Sequence, residues 1–573
     1  MKIFFKHWRV NLILFLIVIA GAAIIGRLFF LQVLNHKLYQ AQALGQQAGF
    51  NKVVGSRGQI LCQNSLQSKG EYNLGEAKNL ATNKETWIIF ANSYDIEDKE
   101  TFVKTLSPVI GQTEEEILAE ITSDDYYAVI EKNVSTDKLD KIKELNLKGL
   151  YWQNIPERFY PQGQMASQVL GFLGGEGEGQ YGLEGYYEDI LKGKEGIKEE
   201  KRGLDSIFSN FDNITLDGSD LYLTIDCNIQ FQAETLLKEE KQKNDIESGQ
   251  IIVIKPDSGR VLAMANYPSF NPNEYYKEGN LEIFQNSATQ KLFEPGSILK
   301  PFTMAVAINE GKITPETTYV DTGSVSFGIK TIHNFANEVY GEQTMAQVLE
   351  KSINTGAVFA SQQISHKTYL DYTDKFGFTK KTGIDLQGEV ASHNDILRNA
   401  SDMNFATASF GQGIEMTPIQ ITAGFSAIAN GGNLVKPYIV EKIINGRDEV
   451  RTEPNLSSSI ISQQTASSVT SMLINVVEQG FGSGAKIPGY YIAGKTGTAQ
   501  VPLKNGKGYE EDKTIQSFIG YAPAYNPQFL ILIKLDNPKV PKSALSAVPV
   551  FKKLAQYIIN YWEIPPDYDA QAK

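Results

Sequence analysis

Residues 293–308 read FEPGSILKPFTMAVAI, and the succession of hydroxyl, amine and apolar helix in this stretch governs how the rest of the chain is read. Pro295 and Gly296 punctuate a helix start, and the apolar TMAVAI carries the helix on. Residues three apart share a helix face, so the Lys300 amine is expected within reach of the Ser297 hydroxyl. A serine hydroxyl is a poor nucleophile until a neighbouring base takes its proton. Lys300 can be that base only if burial and nearby positive charge bring its pKa well below about 10.4. The Ser297 amide is expected among the unpaired donors of the first turn, facing any negative charge that develops there. Pro301 lacks the N–H that would bond the Ser297 carbonyl, which is tolerable only near a helix start. Taken alone, Ser-x-x-Lys is weak, because most such pairs are an ordinary solvated helix face.

Two further motifs follow. Ser352-Ile353-Asn354 lies between the helical patterns TMAQVLEK and TGAVFASQQI, where a hydroxyl and an amide two apart can project into one cleft. Its plainer reading is a helix cap. Lys495-Thr496-Gly497-Thr498 sits in YYIAGKTGTAQV, a strand pattern whose Gly494 and Gly497 suggest close approach by another backbone or a ligand. Lys495 brings a cation that can depress the pKa of Lys300 and attract a carboxylate, and Thr498 offers an amide and a hydroxyl. The Lys is not preceded by the long glycine loop of a Walker-type site, and a strand continues from it where such a site opens a helix. The ordered set Ser-x-x-Lys, Ser-x-Asn, Lys-Thr-Gly is far more specific than any member: it is the signature of penicillin-binding proteins and serine β-lactamases.

Around the motifs, LYLTI from Leu221 reads as a strand opening a second unit at Ser219, with Asp226 as N-cap of an amphipathic helix carrying Ile229, Ala233, Leu236 and Leu237. QIIVIKP and RVLAMANYP form a hairpin around Asp257, Ser258 and Gly259. The strand from Tyr491 to Val501, the turn Asn505-Gly506, TIQSFIGYA and QFLILIKLD give three more strands, and a last helix spans about Ser543 to Trp562. Early and late strands can complete one antiparallel sheet only if helices pack on its faces, which makes the unit an α+β sandwich with a helical insert. From His36 to about Thr215 the polar, Gly-, Glu- and Lys-rich sequence reads as an elongated mixed domain.

At the amino terminus, Val10 to Gly26 is apolar except for Asn11, and the run resumes after Arg27. The first stretch gives about 26 Å of helix, slightly short of a hydrocarbon core; with the second, and Arg27 snorkelling, it suffices. Lys2, Lys6 and Arg9 favour a cytoplasmic amino terminus. A cleaved signal peptide is the alternative, but Ala23, Ile24 and Ile25 continue the apolar region past the small residues Ala20-Gly21-Ala22. The expected division is therefore a cytoplasmic tail (1–9), a single transmembrane anchor (10–34), a pedestal (35–215), a catalytic domain (216–562) and a polar tail (563–573).

The net charge of -12 argues against a surface that tracks nucleic acid. Cys62 and Cys227, far apart in unlike contexts, read as neither a disulfide framework nor a metal site, and the five histidines lack ligand spacing. No metal or cofactor is expected. Gly177-Glu178-Gly179-Gln180-Tyr181-Gly182 fits G-x-G-x-x-G literally. It carries acid where a phosphate would sit and no helix pattern opens from it, so it reads as a junction loop.

With these residues in order, the chain resembles a class B penicillin-binding protein along nearly its whole length. RLFFLQV at the end of the anchor, Arg57-Gly58-Gln59-Ile60, Arg158-Phe159-Tyr160-Pro161 and Tyr181-Gly182-Leu183-Glu184 resemble the family's pedestal motifs; LTID, PSFNPN, SFGQGIEMTPIQ and SFIGYAP fall in family order. The resemblance implies a D,D-transpeptidase of the bacterial cytoplasmic membrane, with its catalytic domain on the extracytoplasmic side and covalently inhibited by β-lactams. In it Ser297 attacks the penultimate D-alanine carbonyl of a peptidoglycan stem peptide. Lys300 is the base, Ser352 and Lys495 help deliver the proton, and Asn354 holds Lys300 and the acyl group. The amides of Ser297 and Thr498 form the oxyanion hole, while Thr496, Gly497 and Thr498 line the substrate site. Asn354, the EPGS lead-in and SFIGYAP look more like the cell-division branch than the elongation branch. Either branch implies a SEDS-type membrane glycosyltransferase as partner, and the division branch further divisome proteins. Four positions depart from the pattern: Cys62 and Gln63 stand where an acidic and then a basic residue are usual, Gln168 where a histidine is common and Ser287 where an arginine is common. The rival readings are a D,D-carboxypeptidase or β-lactamase, in which water resolves the acyl-enzyme, and a non-catalytic scaffold or β-lactam sensor.

Overall fold

The computed structural model describes residues 18, 19, 21, 51–64, 77–122, 128–198, 217–398, 401–503 and 508–569. The expected anchor (10–34) lies outside them apart from three positions, as does the Asn505-Gly506 turn. Among the described residues, no helix is long and apolar enough to cross a membrane. The chain forms two compact units. In the smaller, Met1–Arg57 with Lys192–Gly218, strand Asn51–Val54 pairs antiparallel with Glu195–Lys198. The larger, Gly58–Leu191 with Ser219–Lys573, is a mixed α+β structure and carries the site.

Its first part contains β1 (Ile60–Gln63), β2 (Lys78–Ala91), β3 (Ala128–Val134) and β4 (Leu150–Phe159). Helices on this sheet bury one face each. In Lys99–Ile110 the apolar Phe102, Val103, Leu106 and Ile110 fall on one side, Asp98 caps the start and Gly111 ends it at φ 86°. Three of the four pedestal motifs meet: Arg158 Nε donates to Glu184 at 2.7 Å, Arg158 Nη1 to the Gly58 carbonyl at 2.7 Å, and the Tyr160 hydroxyl to Glu184 at 3.2 Å; the fourth, RLFFLQV, lies outside the described residues. A Cβ on Gly58 would sit 1.9 Å from the Ser219 carbonyl oxygen, so only glycine fits there. The G-x-G-x-x-G stretch departs from its reading in one respect: a five-residue helix, Gly182–Tyr186, does open at its last glycine. Gly182 holds φ 45° and backs onto the Val169 carbonyl, so the glycine serves packing.

The second part runs through β5 (Asp220–Asp226), α1 (Cys227–Asn244), β6 (Ser248–Ile254), β7 (Val261–Tyr267), α2 (Lys300–Asn309), the short strands β8 (Thr318–Asp321), β9 (Ser324–Phe327), β10 (Lys330–His333) and β11 (Gly341–Thr344), then α3 (Met345–Glu350), α4 (Asn354–Gln362) and α5 (Pro418–Ala429). It ends with β12 (Val440–Asn445), β13 (Asp448–Arg451), α6 (Gln463–Glu478), β14 (Ala493–Pro502), β15 (Tyr509–Ala522), β16 (Phe529–Asp536) and α7 (Ala547–Tyr561). The central sheet is antiparallel in the order β7-β6-β16-β15-β14. Alternation along β16 covers both faces: Ile531 and Ile533 pack with α1 and α7 through Leu236, Phe551 and Ile558, while Leu530 and Leu532 join the core of α2, α5 and α6. Asp226 caps α1 as expected, accepting from the Asn228 and Ile229 amides.

Two expectations are corrected. LYLTI does not join the central sheet: β5 lies between β12 and β1 in a separate sheet that continues into β2 and β3, with β4 also paired to β2. The two cysteines, read as forming no disulfide framework, are joined in a disulfide. The parallel pairing of β1 with β5 places Cys62 beside Cys227, the residue after β5, at a Cα–Cα distance of 5.7 Å. Spacing could not show this, because the contact depends on strands 165 residues apart becoming neighbours. Gln168 is also internal: its Nε2 donates to the carbonyls of Pro268 and Ile283 at 2.9 and 3.1 Å. Ser287 begins a short helix capped by Asn286.

Candidate active site

The segment before Ser297 is clamped on both sides. Phe293 and Met416 exchange backbone hydrogen bonds at 3.0 and 3.1 Å, and the Gly296 amide donates to the Gly411 carbonyl at 3.0 Å. Gly296 has φ 59°, and a Cβ on Gly411 would lie 2.1 Å from the Gly296 carbonyl oxygen. Residues Gly296–Leu299 form a 3₁₀ turn leading directly into α2, and the Lys300 amide, one residue earlier than in an α-helix, takes the Ser297 carbonyl. That tighter bond is why Pro301, with no N–H to offer, is accommodated. Ser297 is half-buried and Lys300 fully buried. No hydrogen bond joins the two side chains; among the described residues the Ser297 hydroxyl has no protein partner.

The Lys300 amine is held instead by the second motif. Its Nζ donates to the Ser352 carbonyl at 2.5 Å and to Asn354 Oδ1 at 2.8 Å, and stands 3.3 Å from Ser352 Oγ. Ser352 reaches this position by adopting φ 55° between α3 and α4, the left-handed region uncommon for a residue with a side chain. Neither Ser352 nor Asn354 caps a helix: the position before α4 is Ile353, without a side-chain cap. Asn354 Nδ2 donates to the His333 carbonyl at 3.0 Å, which fixes which end of the amide faces Lys300.

The third motif approaches along β14, the edge strand of the central sheet, in register Lys495↔Ile519 to Thr498↔Gln516. Lys495 Nζ donates to Ser352 Oγ at 2.8 Å and to the Thr496 carbonyl at 3.0 Å. A Cβ on Gly497 would fall 2.8 Å from Ile298 Cγ2, and one on Gly296 3.1 Å from the Thr498 carbonyl oxygen, so both glycines let the strand lie against the nucleophile turn. Thr496 is buried and Thr498 half-buried beside that turn.

Ser352 Oγ thus stands between two buried amines. Burial, and then the positive charge of Lys495, pushes the Lys300 amine well below the ordinary lysine range; burial brings Lys495 down to about 7. A neutral Lys300 can accept a proton, and the hydroxyl between the amines can pass one along.

The sequence reading missed the buried acid that anchors this turn. Glu294 is buried at the base of the nucleophile turn, accepting from the Gly413 amide at 3.0 Å and the Tyr509 hydroxyl at 3.1 Å, and burial raises its pKa. It ties the turn to two segments distant in sequence, and its place in EPGS was the only local signal.

Two families match. One, described as penicillin binding protein transpeptidase domain, covers residues 249–556; the other, penicillin-binding protein dimerisation domain, covers 52–223. The chain is 33% identical to stage V sporulation protein D of Bacillus subtilis over 84% of its own length and 74% of that protein. It is 30% identical to peptidoglycan D,D-transpeptidase FtsI of Buchnera aphidicola over 98% and 96% of the two chains. The crystal structure of penicillin binding protein 3 from Mycobacterium tuberculosis complexed with aztreonam superposes with a TM-score of 0.69 at 26% identity, covering 90% of this chain and 98% of that one.

Proposed function

The chain belongs to the class B penicillin-binding proteins, the serine-type peptidoglycan D,D-transpeptidases of cell-wall synthesis, and on that premise we propose how its own residues carry out the reaction. Ser297 Oγ attacks the penultimate D-alanine carbonyl while Lys300 Nζ takes its proton. The amides of Ser297 and Thr498 receive the negative charge on the carbonyl oxygen, where one donor is typically worth about 2.7 to 4 kcal/mol. Collapse breaks the peptide bond, and the departing D-alanine amine takes a proton relayed through Ser352 from the Lys300–Lys495 pair. Thr496 and Thr498 face the terminal carboxylate, with Gly497 allowing the substrate to lie along β14, and Asn354 holds Lys300 and the acyl group. The amine of a second stem peptide then attacks the ester, forms the cross-link and restores the Ser297 hydroxyl. A β-lactam enters by the same acylation.

The observation that carries this reading is the convergence of Lys300, Ser352, Asn354 and Lys495 in one hydrogen-bonded cluster beside the turn of Ser297. Fluorescent penicillin should label the protein and fail to label Ser297→Ala. With a donor peptide and an acceptor amine in excess, cross-linked product should form; hydrolysis products alone would favour the carboxypeptidase reading.

The same proposal places residues 10–34 in the cytoplasmic membrane, the amino terminus inside and the catalytic domain outside, beside a SEDS-type glycosyltransferase and divisome proteins, in septal wall synthesis. The Cys62–Cys227 disulfide supports the outward placement, since such bonds persist in oxidising compartments. EPGS, Asn354 and SFIGYAP, with the FtsI relative, support the septal role. Septal enrichment of a fluorescent fusion tests it, and uniform distribution along the cell envelope would contradict it.

A further inference from the structure

The Asn354 amide serves Lys300 in only one of its two orientations. With Oδ1 on Lys300 Nζ, Nδ2 must find an acceptor, and the His333 carbonyl at the end of β10 provides it. What holds His333 there is the next residue. Asn334 Oδ1 accepts from the Thr355 amide at 3.1 Å, and Asn334 Nδ2 reaches both carboxylate oxygens of Asp321 at 3.0 and 2.9 Å. Asp321, the last residue of β8 and only 2% exposed, also accepts from the Gly323 amide at 3.0 Å, the Tyr340 amide at 2.8 Å and Thr355 Oγ1 at 2.6 Å. One carboxylate therefore gathers donors from the hairpin that follows it, from the loop beyond the hairpin and from the residue after Asn354. Among the described residues no cation pairs with it, so its acceptor capacity is filled by neutral donors.

We propose that Asp321 is a positioning residue for acylation: through Asn334 and Thr355 it pins the His333 carbonyl against the first turn of α4 and so keeps the Asn354 amide turned with its oxygen on Lys300. The inference rests on the reading that Lys300 and Asn354 serve acylation at Ser297. A carboxamide at position 321 has nearly the same shape but puts an NH2 where donors already converge, so Asp321→Asn loosens the support without emptying the space.

The test is a double-mutant cycle on the rate of acylation by fluorescent penicillin, using the parent, Asp321→Asn, Asn354→Ala and the double variant, with melting temperatures measured alongside. Asp321→Asn should slow acylation about tenfold in the parent but less than about twofold once Asn354 is already alanine, as expected when one residue acts through another. An equal factor in both backgrounds, or no slowing in the parent, overturns the inference. If Asp321→Asn does not yield folded protein, Asn334→Ala goes through the same cycle with the same expectation. A parent that takes no label overturns the acylation reading itself, whereas normal labelling with equal factors defeats only the role of Asp321.

Discussion

At the scale of single residues the site turns on two buried amines sharing one hydroxyl. The proposed mechanism requires Lys300 to be neutral for acylation, so the rate should rise with pH through the lowered Lys300 pKa and reach a plateau far below the ordinary lysine range. Removing the neighbouring cation eases protonation of Lys300, so in Lys495→Gln the acidic limb of the acylation profile should move to higher pH, on a lower plateau. Lys300→Ala should lose about 10² to 10⁴ in rate, the usual worth of a positioned base. Lys495 also links pH to stability. Its folded pKa of about 7 lies below its unfolded value, so between the two the unfolded chain binds more protons and stability rises with pH. The burial penalty is therefore complete below about pH 7 and is relieved as pH climbs towards about 10. Denaturant melts should show the parent gaining on Lys495→Met over that interval, by on the order of 3–5 kcal/mol; parallel curves would contradict the assigned shift. The amines were legible in the sequence because each stands in a short motif of fixed spacing. Glu294 and Asp321 were not, because their donors at Gly413, Tyr509, Tyr340 and Thr355 are brought to them by tertiary packing.

At the scale of elements, the position of Ser297, the proposed nucleophile, is set by the turn Gly296–Leu299 wedged between β14 and the Gly411 carbonyl. Gly411→Ala is a local test: the residue has φ 84°, and the added methyl would lie 2.1 Å from the Gly296 carbonyl oxygen. The turn must shift, and a displacement of about 1 Å at a reacting group can cost about 10²-fold in rate. Acylation should fall accordingly while the sheet and its helices persist by circular dichroism; unchanged acylation would show that the turn does not depend on this contact. The hairpins and the late strands of the central sheet were readable because β-branched and aromatic residues run between Gly, Pro and Asp turns. Which sheet β5 would join was not. LYLTI has the same local pattern as β6, and its neighbours β1 and β12 are chosen by a parallel pairing and a long-range antiparallel one that no local periodicity encodes.

At the scale of the whole molecule, the covalent link between Cys62 on β1 and Cys227 at the start of α1 ties the pedestal strands to the helix that covers one face of the catalytic sheet. Closing a loop across 165 residues removes much of the freedom of the unfolded chain, and bonds of this kind contribute roughly 2–5 kcal/mol. Neither sulfur belongs to the cluster around Ser297, so the bond should matter for stability and not for chemistry. The double variant Cys62→Ser with Cys227→Ser should therefore melt at lower temperature than the parent while acylating at the parental rate well below its transition. Reductant should lower the melting temperature of the parent towards that of the variant and leave the variant where it is. A parent indifferent to reductant would mean that the two thiols are not joined in solution. A variant that melts like the parent but acylates slowly would mean instead that the link acts on the geometry of the cleft.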